Sequence, residues 1–142
     1  MKTFQKLTYL MSMLLLLSAI PTMAQIDQGV TFEAPFAFYA GNAKMPAGSY
    51  RVTQPDDNAD LLLIESANGS YSAFVDYVRV QSNTPPSNTE VTFNKYGKSD
   101  FLKSISLQGQ TFGMQIVPSK AEQNAAKTAA AEKHTLSAKN GR

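Results

Sequence analysis

An all-β fold is predicted for this 142-residue chain, as an antiparallel β-sandwich or a small open barrel of about seven strands. Three observations favour this class. Apolar residues recur at every second position in short runs, turn-forming residues cluster between the runs, and no long helical period occurs before Pro118. A short C-terminal helix and a disordered tail complete the predicted architecture.

The N-terminus has the features of a secretory signal peptide. Lys2 and Lys6 flank the start of an apolar run over residues 7–20, and small residues lead up to Ala24. This run is shorter than the roughly 18 to 20 residues of a membrane span, which argues against the alternative of an uncleaved anchor. Cleavage before Gln25 would place the mature chain in the periplasm or outside the cell, with no transmembrane segment.

The first strands of the mature chain are predicted around an aromatic hairpin. Apolar groups occupy the even positions of residues 30–38, where Pro35 indicates a bend or a sheet edge. Gly41 and Gly48 suit the tight turns on either side of Pro46, and residues 50–53 continue the alternation.

The middle of the chain is predicted to form a hairpin. Residues 61–64 are all apolar, which is typical of a short central strand that is buried on both faces and includes Leu63. Asn68-Gly69 favours a type I′ turn into a long strand over residues 71–80.

Three further strands are predicted after a Pro-rich loop, over residues 90–96, 101–107 and 112–116. Ser119 then has the character of a helix N-cap, with Glu122 in the capping-box position. The alanines that follow favour helix but bury little area, so we expect a fraying helix and disorder from about His134 onward. The predicted organisation is therefore a signal peptide (1–24), a β-domain (25–118) and a helix with a flexible tail (119–142).

Charge and cysteine content exclude several classes of protein. Loss of Lys2 and Lys6 leaves the mature chain with equal numbers of basic and acidic residues, and residues 119–142 carry only a weak basic excess. A nucleic-acid-binding surface normally needs a concentrated basic face, so no nucleic-acid partner is predicted. The absence of cysteine excludes disulfides, a thiol nucleophile, a thiolate metal site and an N-terminal lipid anchor.

The residues that might carry chemistry all have simpler interpretations. His134, the only histidine, is predicted to be a solvated tail residue, and the acidic stretch 56–60 lacks the spacing of a calcium loop. Tyr96, Gly97 and Phe101 are interpreted as a hairpin whose aromatic rings pack into the core, in preference to a recognition surface. Glu65 and Asp76 would meet only if they lay on one face of their hairpin.

The prediction is therefore that no residue is catalytic, cofactor-binding or metal-binding. The Asn68-Gly69-Ser70 sequon is expected to stay unmodified in a bacterial secretion context.

Several of these segments resemble a family of small exported β-rich proteins of unknown function that is common in acidobacterial genomes. The resemblance rests on residues 35–41 and 45–52, on Phe93-Asn94-Lys95-Tyr96-Gly97 with Phe101-Leu102, and on residues 119–122, where Met45 replaces the usual Leu. It implies an exported β-domain and supplies no catalytic residue.

Two classes of function remain open. The first is a non-catalytic binding or envelope-associated module that uses a sheet face or edge to engage an unknown partner. The alternative is an extracellular enzyme that acts on a small molecule or polymer with carboxylates and tyrosines alone. The lack of an identifiable paired-carboxylate cleft favours the first. The ligand and the oligomeric state are not specified by the sequence.

Overall fold

A computed structural model describes residues 29–55 and 60–141, which form ten β-strands and one short helix. The predicted signal peptide and the turn at residues 56–59 lie outside the described residues. The strands are β1 (Val30–Ala34), β2 (Phe38–Ala40), β3 (Ala43–Met45), β4 (Gly48–Thr53), β5 (Leu61–Ser66), β6 (Ser72–Gln81), β7 (Glu90–Tyr96), β8 (Ser99–Ser106), β9 (Phe112–Ile116) and β10 (Ala131–Asn140), and the helix α1 is Lys120–Ala126.

Eight of these strands close into an antiparallel barrel. Their order around the wall is β8-β7-β10-β1-β4-β5-β6-β9, and pairing of β9 with β8 completes the ring. The all-β prediction is confirmed. The architecture is a closed barrel of eight strands with two extra strands, and neither the predicted sandwich nor the predicted open barrel of about seven strands. Closure satisfies the backbone edges that an open sheet would leave exposed.

The β2–β3 hairpin fills a gap that β9 leaves in the wall. β9 pairs with the second half of β6 and, on its other side, with Ser104–Ser106 at the end of β8. β2 pairs in parallel with the first residues of β8 and buries Phe38, while β3 buries Met45. Gly41 makes the turn between them at φ +62°. The aromatic stretch breaks into β1 and β2 at residues 35–37, where Pro35 has no N–H to donate to a ladder.

Side chains fill the barrel interior. Phe38 makes edge contacts with Tyr50 and Phe93, at ring-centroid distances of 5.0 and 5.3 Å, and Phe32 stacks on Tyr50 at 5.7 Å. An eight-stranded barrel is just wide enough to be filled in this way. The largest fully buried side chains are Phe38, Phe93, Met45, Leu62, Ile64, Leu102, Ile105, Val30 and Val91.

β5 differs from its prediction because a barrel wall has only one inner face. Leu62 and Ile64 are buried, whereas Leu61 and Leu63 lie on the outer side and are partly exposed. The expectation that this strand is buried on both faces, with Leu63 central, is therefore wrong.

The predicted β5–β6 hairpin is present, but its turn is not type I′. A type I′ turn needs positive φ at both central residues, and all the described non-glycine residues, Asn68 included, have negative φ. The chain instead uses a longer loop over residues 67–71, in which the Gly69 N–H donates to the Ser66 carbonyl oxygen at 2.8 Å. The Asn68 Oδ1 accepts from the Ser70 N–H and the Ser66 hydroxyl, which holds the loop.

The predicted disordered tail is also wrong, because residues 131–140 form β10. This strand pairs with β7 over Ala131–Ser137 and with β1 over Ala138–Asn140. Leu136 and Ala138 are partly buried against the core, and polar residues alternate with them. The barrel is thus incomplete at Pro118, and the C-terminal strand joins its two sides.

Helix α1 begins where the sequence predicts it. Ser119 is the N-cap, and its hydroxyl oxygen accepts from the Glu122 N–H at 3.2 Å. In the part of the chain that the structure describes, no helix has the length and apolar character needed to cross a membrane.

Candidate functional site

A groove on the outside of the barrel is the main candidate for a functional site, and we call it the outer groove. It crosses the ends of β6, β9 and β8 and has a volume of about 220 Å³. Its lining residues are Val80, Ser82, Thr84, Pro86, Ser104, Ile105, Ser106, Gln110, Phe112, Gly113, Met114 and Gln115.

Gly113 forms part of the groove floor. In the ladders it lies opposite Val80 on one side and Ser106 on the other, so these residues share the outer face. A Cβ atom at Gly113 would stand 3.4 Å from the Ile105 carbonyl oxygen and 3.5 Å from the Ser106 Oγ. The missing side chain therefore leaves a depression between the flanking strands.

The β6–β7 loop forms the rim of the groove. The Ser82 hydroxyl donates to the Thr84 carbonyl oxygen at 2.9 Å, and the Ser82 N–H donates to the Thr111 carbonyl oxygen at 2.7 Å. The Gly109 N–H donates to the Pro86 carbonyl oxygen at 3.0 Å. These bonds fix the Pro-rich loop to the β8–β9 turn, so the rim is held in place before any ligand arrives.

The groove is polar but carries no charge. The side chains of Ser104, Ser106, Gln110 and Gln115 make no hydrogen bond to other described residues, so their donors and acceptors are available. On the same outer face Val80 is 43% exposed, and at the end of the groove Phe112 is 53% exposed. Uncommitted polar groups next to exposed apolar surface are typical of a binding site.

A second candidate lies at one end of the barrel interior, where β8 and β10 bring Asp100 and His134 together. His134 Nδ1 lies 3.4 Å from Asp100 Oδ1, and the imidazole ring makes an edge contact with Phe36. The prediction that His134 lies in a flexible tail is therefore wrong, because it belongs to β10; its side chain is 36% exposed and so only partly solvated.

The Asp100 carboxylate is only 5% exposed, and its Oδ1 has no hydrogen-bond partner among the described residues. Its contact with His134 is thus electrostatic and not an aligned hydrogen bond. A buried carboxylate oxygen without such a bond is costly, which makes this pair the most unusual polar feature of the interior. Within residues 29–55 and 60–141, no group of three or more potential ligands is placed to hold a metal ion.

A third polar cluster ties helix α1 to the outside of the barrel. The buried Glu122 Oε1 accepts from Asn94 Nδ2 at 3.1 Å and from the Tyr96 hydroxyl at 3.4 Å. Burial, followed by the nearby charge of Glu122, raises the pKa of Tyr96 above its usual value. The Glu122 carboxylate thus bonds to the barrel, so this cluster serves to dock the helix.

The aromatic hairpin next to this cluster agrees only partly with its prediction. Gly97 has the expected turn conformation, at φ +62°, and Phe101 is buried. Phe101, however, stacks on Tyr39 at 4.8 Å and contacts Tyr96 at 5.9 Å on the outer face, separate from the barrel interior.

The carboxylates considered in the sequence do not form a pair. Glu65 lies opposite Ser72, and Asp76 lies opposite Leu61. The acidic residues of the 56–59 turn lie outside the described residues. The outer groove was missed because its signal in the sequence is weak, consisting of Gly113 inside an alternating strand and two serines on the neighbouring one.

Comparison with protein-family models, with curated proteins and with solved structures gives no match to this chain.

Proposed function

We propose that this protein is an exported, non-catalytic binding or envelope-associated module that engages its partner through the outer groove. It would act in the periplasm or outside the cell after cleavage before Gln25, as a member of the exported acidobacterial family that it resembles. The observation that carries the proposal is the contrast between a barrel interior filled by side chains and an exterior groove with uncommitted polar groups.

The exposed residues around the groove support a role in binding. Phe112 and Val80 expose apolar surface at the groove itself, and Val78 extends it along the outer face of β6. Aromatic side chains at the centre of an interface often supply most of its binding energy. Phe112 is therefore the first residue to test.

Co-sedimentation of the mature protein with an insoluble envelope fraction tests the proposal. We expect wild-type protein to pellet with the envelope and Phe112→Ala to stay largely in the supernatant. Phe74→Ala is the matched control, because Phe74 is 61% exposed on β6 but does not line the groove. Equal pelleting of all three proteins, or loss with Phe74→Ala alone, would contradict binding at the groove.

The Asp100–His134 pair is the observation that favours the alternative, an extracellular enzyme. Asp100 lies opposite Lys95 in the ladder and shares the inner face with Phe93. Glu122 accepts hydrogen bonds from Asn94 and Tyr96. These two residues alternate with Phe93 and Lys95 along β7 and therefore lie on its outer face.

The two buried carboxylates are thus on opposite sides of the wall and cannot act on one substrate atom. An enzyme that depended on Asp100 would release soluble fragments from envelope polymer, and Asp100→Asn would abolish the release. We expect no release by either protein.

A further inference from the structure

We infer that the ligand of the outer groove is an uncharged oligosaccharide. This inference rests on the proposed function and adds the chemical class of the partner.

The lining of the groove is uncharged. None of the twelve residues that line the groove is charged. An anionic or cationic ligand would lose hydration here without gaining a counter-charge, which costs free energy. A ligand that is polar but neutral meets no such penalty.

The groove offers hydrogen-bonding side chains to a ligand. Ser104 and Ser106 offer hydroxyl groups on β8, and Gln110 and Gln115 offer amides from the β8–β9 turn and β9. Hydroxyls and amides both donate and accept, as the hydroxyl groups of a sugar do. Since none of these four side chains is bonded within the described residues, a ligand can use them without breaking an internal bond.

The groove also exposes apolar surface. Phe112 is 53% exposed and Val80 is 43% exposed, and both line the groove. The C–H face of a sugar ring is apolar and can lie flat on an aromatic ring, while its hydroxyl groups point sideways to polar partners. Val80 lies on the same outer face as Ser106 and Gly113, and Phe112, which alternates with Gly113 along β9, lines the end of the groove.

Backbone pairing argues against an extended peptide as the occupant. Peptides that bind to sheets usually add a strand to a free edge. β9 pairs with β6 on one side and with β8 on the other, so it has no free edge along the groove.

The volume of the groove argues against an enclosed small molecule, because about 220 Å³ is below the roughly 300 to 1,000 Å³ of pockets that enclose a drug-sized molecule. An open groove of this size suits a short stretch of a longer chain.

Isothermal titration of the mature protein with defined hexasaccharides tests the inference. The probes are neutral hexamers of glucose in α-1,4 and β-1,4 linkage and of N-acetylglucosamine, with a galacturonate hexamer as the anionic comparison. We expect at least one neutral hexamer to bind, and the galacturonate hexamer not to bind. Phe112→Ala and Gln115→Ala should each weaken binding about tenfold, while Phe74→Ala should bind as the wild type does.

The outcomes separate this inference from the proposed function. Binding of the galacturonate hexamer alone, or binding that does not change in either groove variant, would overturn the oligosaccharide assignment. Lack of binding to every neutral hexamer would overturn it too, and co-sedimentation that still depends on Phe112 would then leave the groove as the site for a different partner. If co-sedimentation also proves independent of Phe112, the proposed function itself fails.

Discussion

Leu62 and Leu63 provide the sharpest test of the barrel, because they are adjacent, chemically identical and on opposite faces of β5. Leu62 is 2% exposed inside the barrel, so Leu62→Ala leaves a cavity and should cost about 2 to 5 kcal/mol. Leu63 lies on the outer side opposite Phe74, which is itself mostly exposed. Leu63→Ala should therefore cost about 1 kcal/mol or less.

Urea unfolding followed by circular dichroism measures the difference. With a slope of about 1 to 3 kcal/mol/M, a loss of about 3 kcal/mol lowers the midpoint by about 1 to 3 M. A loss of this size is a large part of the unfolding free energy of a typical domain, which is about 5 to 15 kcal/mol. A larger loss for Leu63→Ala than for Leu62→Ala would refute the assignment of inner and outer faces.

Three further predictions rest on contacts in the structure, and a fourth rests on the N-terminal sequence. Removal of β10 in a chain ending at Ala130 deletes ten registered pairs and should abolish cooperative unfolding; an unchanged urea midpoint would show that the strand is dispensable. His134→Leu should cost about 1 to 3 kcal/mol by leaving Asp100 without its partner, and the loss should shrink in an Asp100→Asn background; additive losses would deny the coupling. The pKa of Tyr96 is raised in the folded state, so this tyrosine stabilises the protein below pH 10.0, its ordinary pKa, and the stabilisation is lost as the pH rises through the folded-state pKa. Tyr96→Phe should therefore flatten the alkaline limb of a plot of unfolding free energy against pH. An unaltered limb would exclude Tyr96 as the cause of the alkaline loss of stability. Intact-mass measurement of exported protein should give a chain starting at Gln25, and a mass that includes residues 1–24 would contradict export by cleavage.

Much of the barrel could be predicted from the sequence because each wall strand has one buried face. In β1, for example, Val30 and Phe32 are buried and Thr31 is exposed, as period-two patterning requires. The turns at Gly41 and Gly97 were predictable for a similarly local reason, since both take positive φ. These features depend on neighbouring residues alone.

Barrel closure could not be predicted, since it depends on which strands meet. β10 has no fully buried side chain, and its inner face consists of a histidine and small or medium apolar groups. A weak pattern of this kind forms a strand only because β7 and β1 offer free backbone edges on both sides. The prediction that residues 61–64 are buried on both faces was wrong for a related reason. Local hydrophobicity does not show which face of a strand points outward, and Leu61 and Leu63 remain partly exposed.

The candidate sites were harder to predict than the fold. Asp100 and His134 are 34 positions apart and come together only when β10 enters the wall. The outer groove joins side chains from three strands with a loop that the sequence marks only as irregular. Neither arrangement has a spacing that a linear pattern can show.

Residue-resolved NMR titration with a solubilised envelope extract shows whether the partner binds at the outer groove, whatever its chemical class. We expect concentration-dependent shifts at the backbone amides of Ser106, Phe112, Gly113 and Gln115, with the amides of Asp100 and His134 unaffected. Shifts centred on Asp100 and His134, or no shifts at the groove, would contradict it.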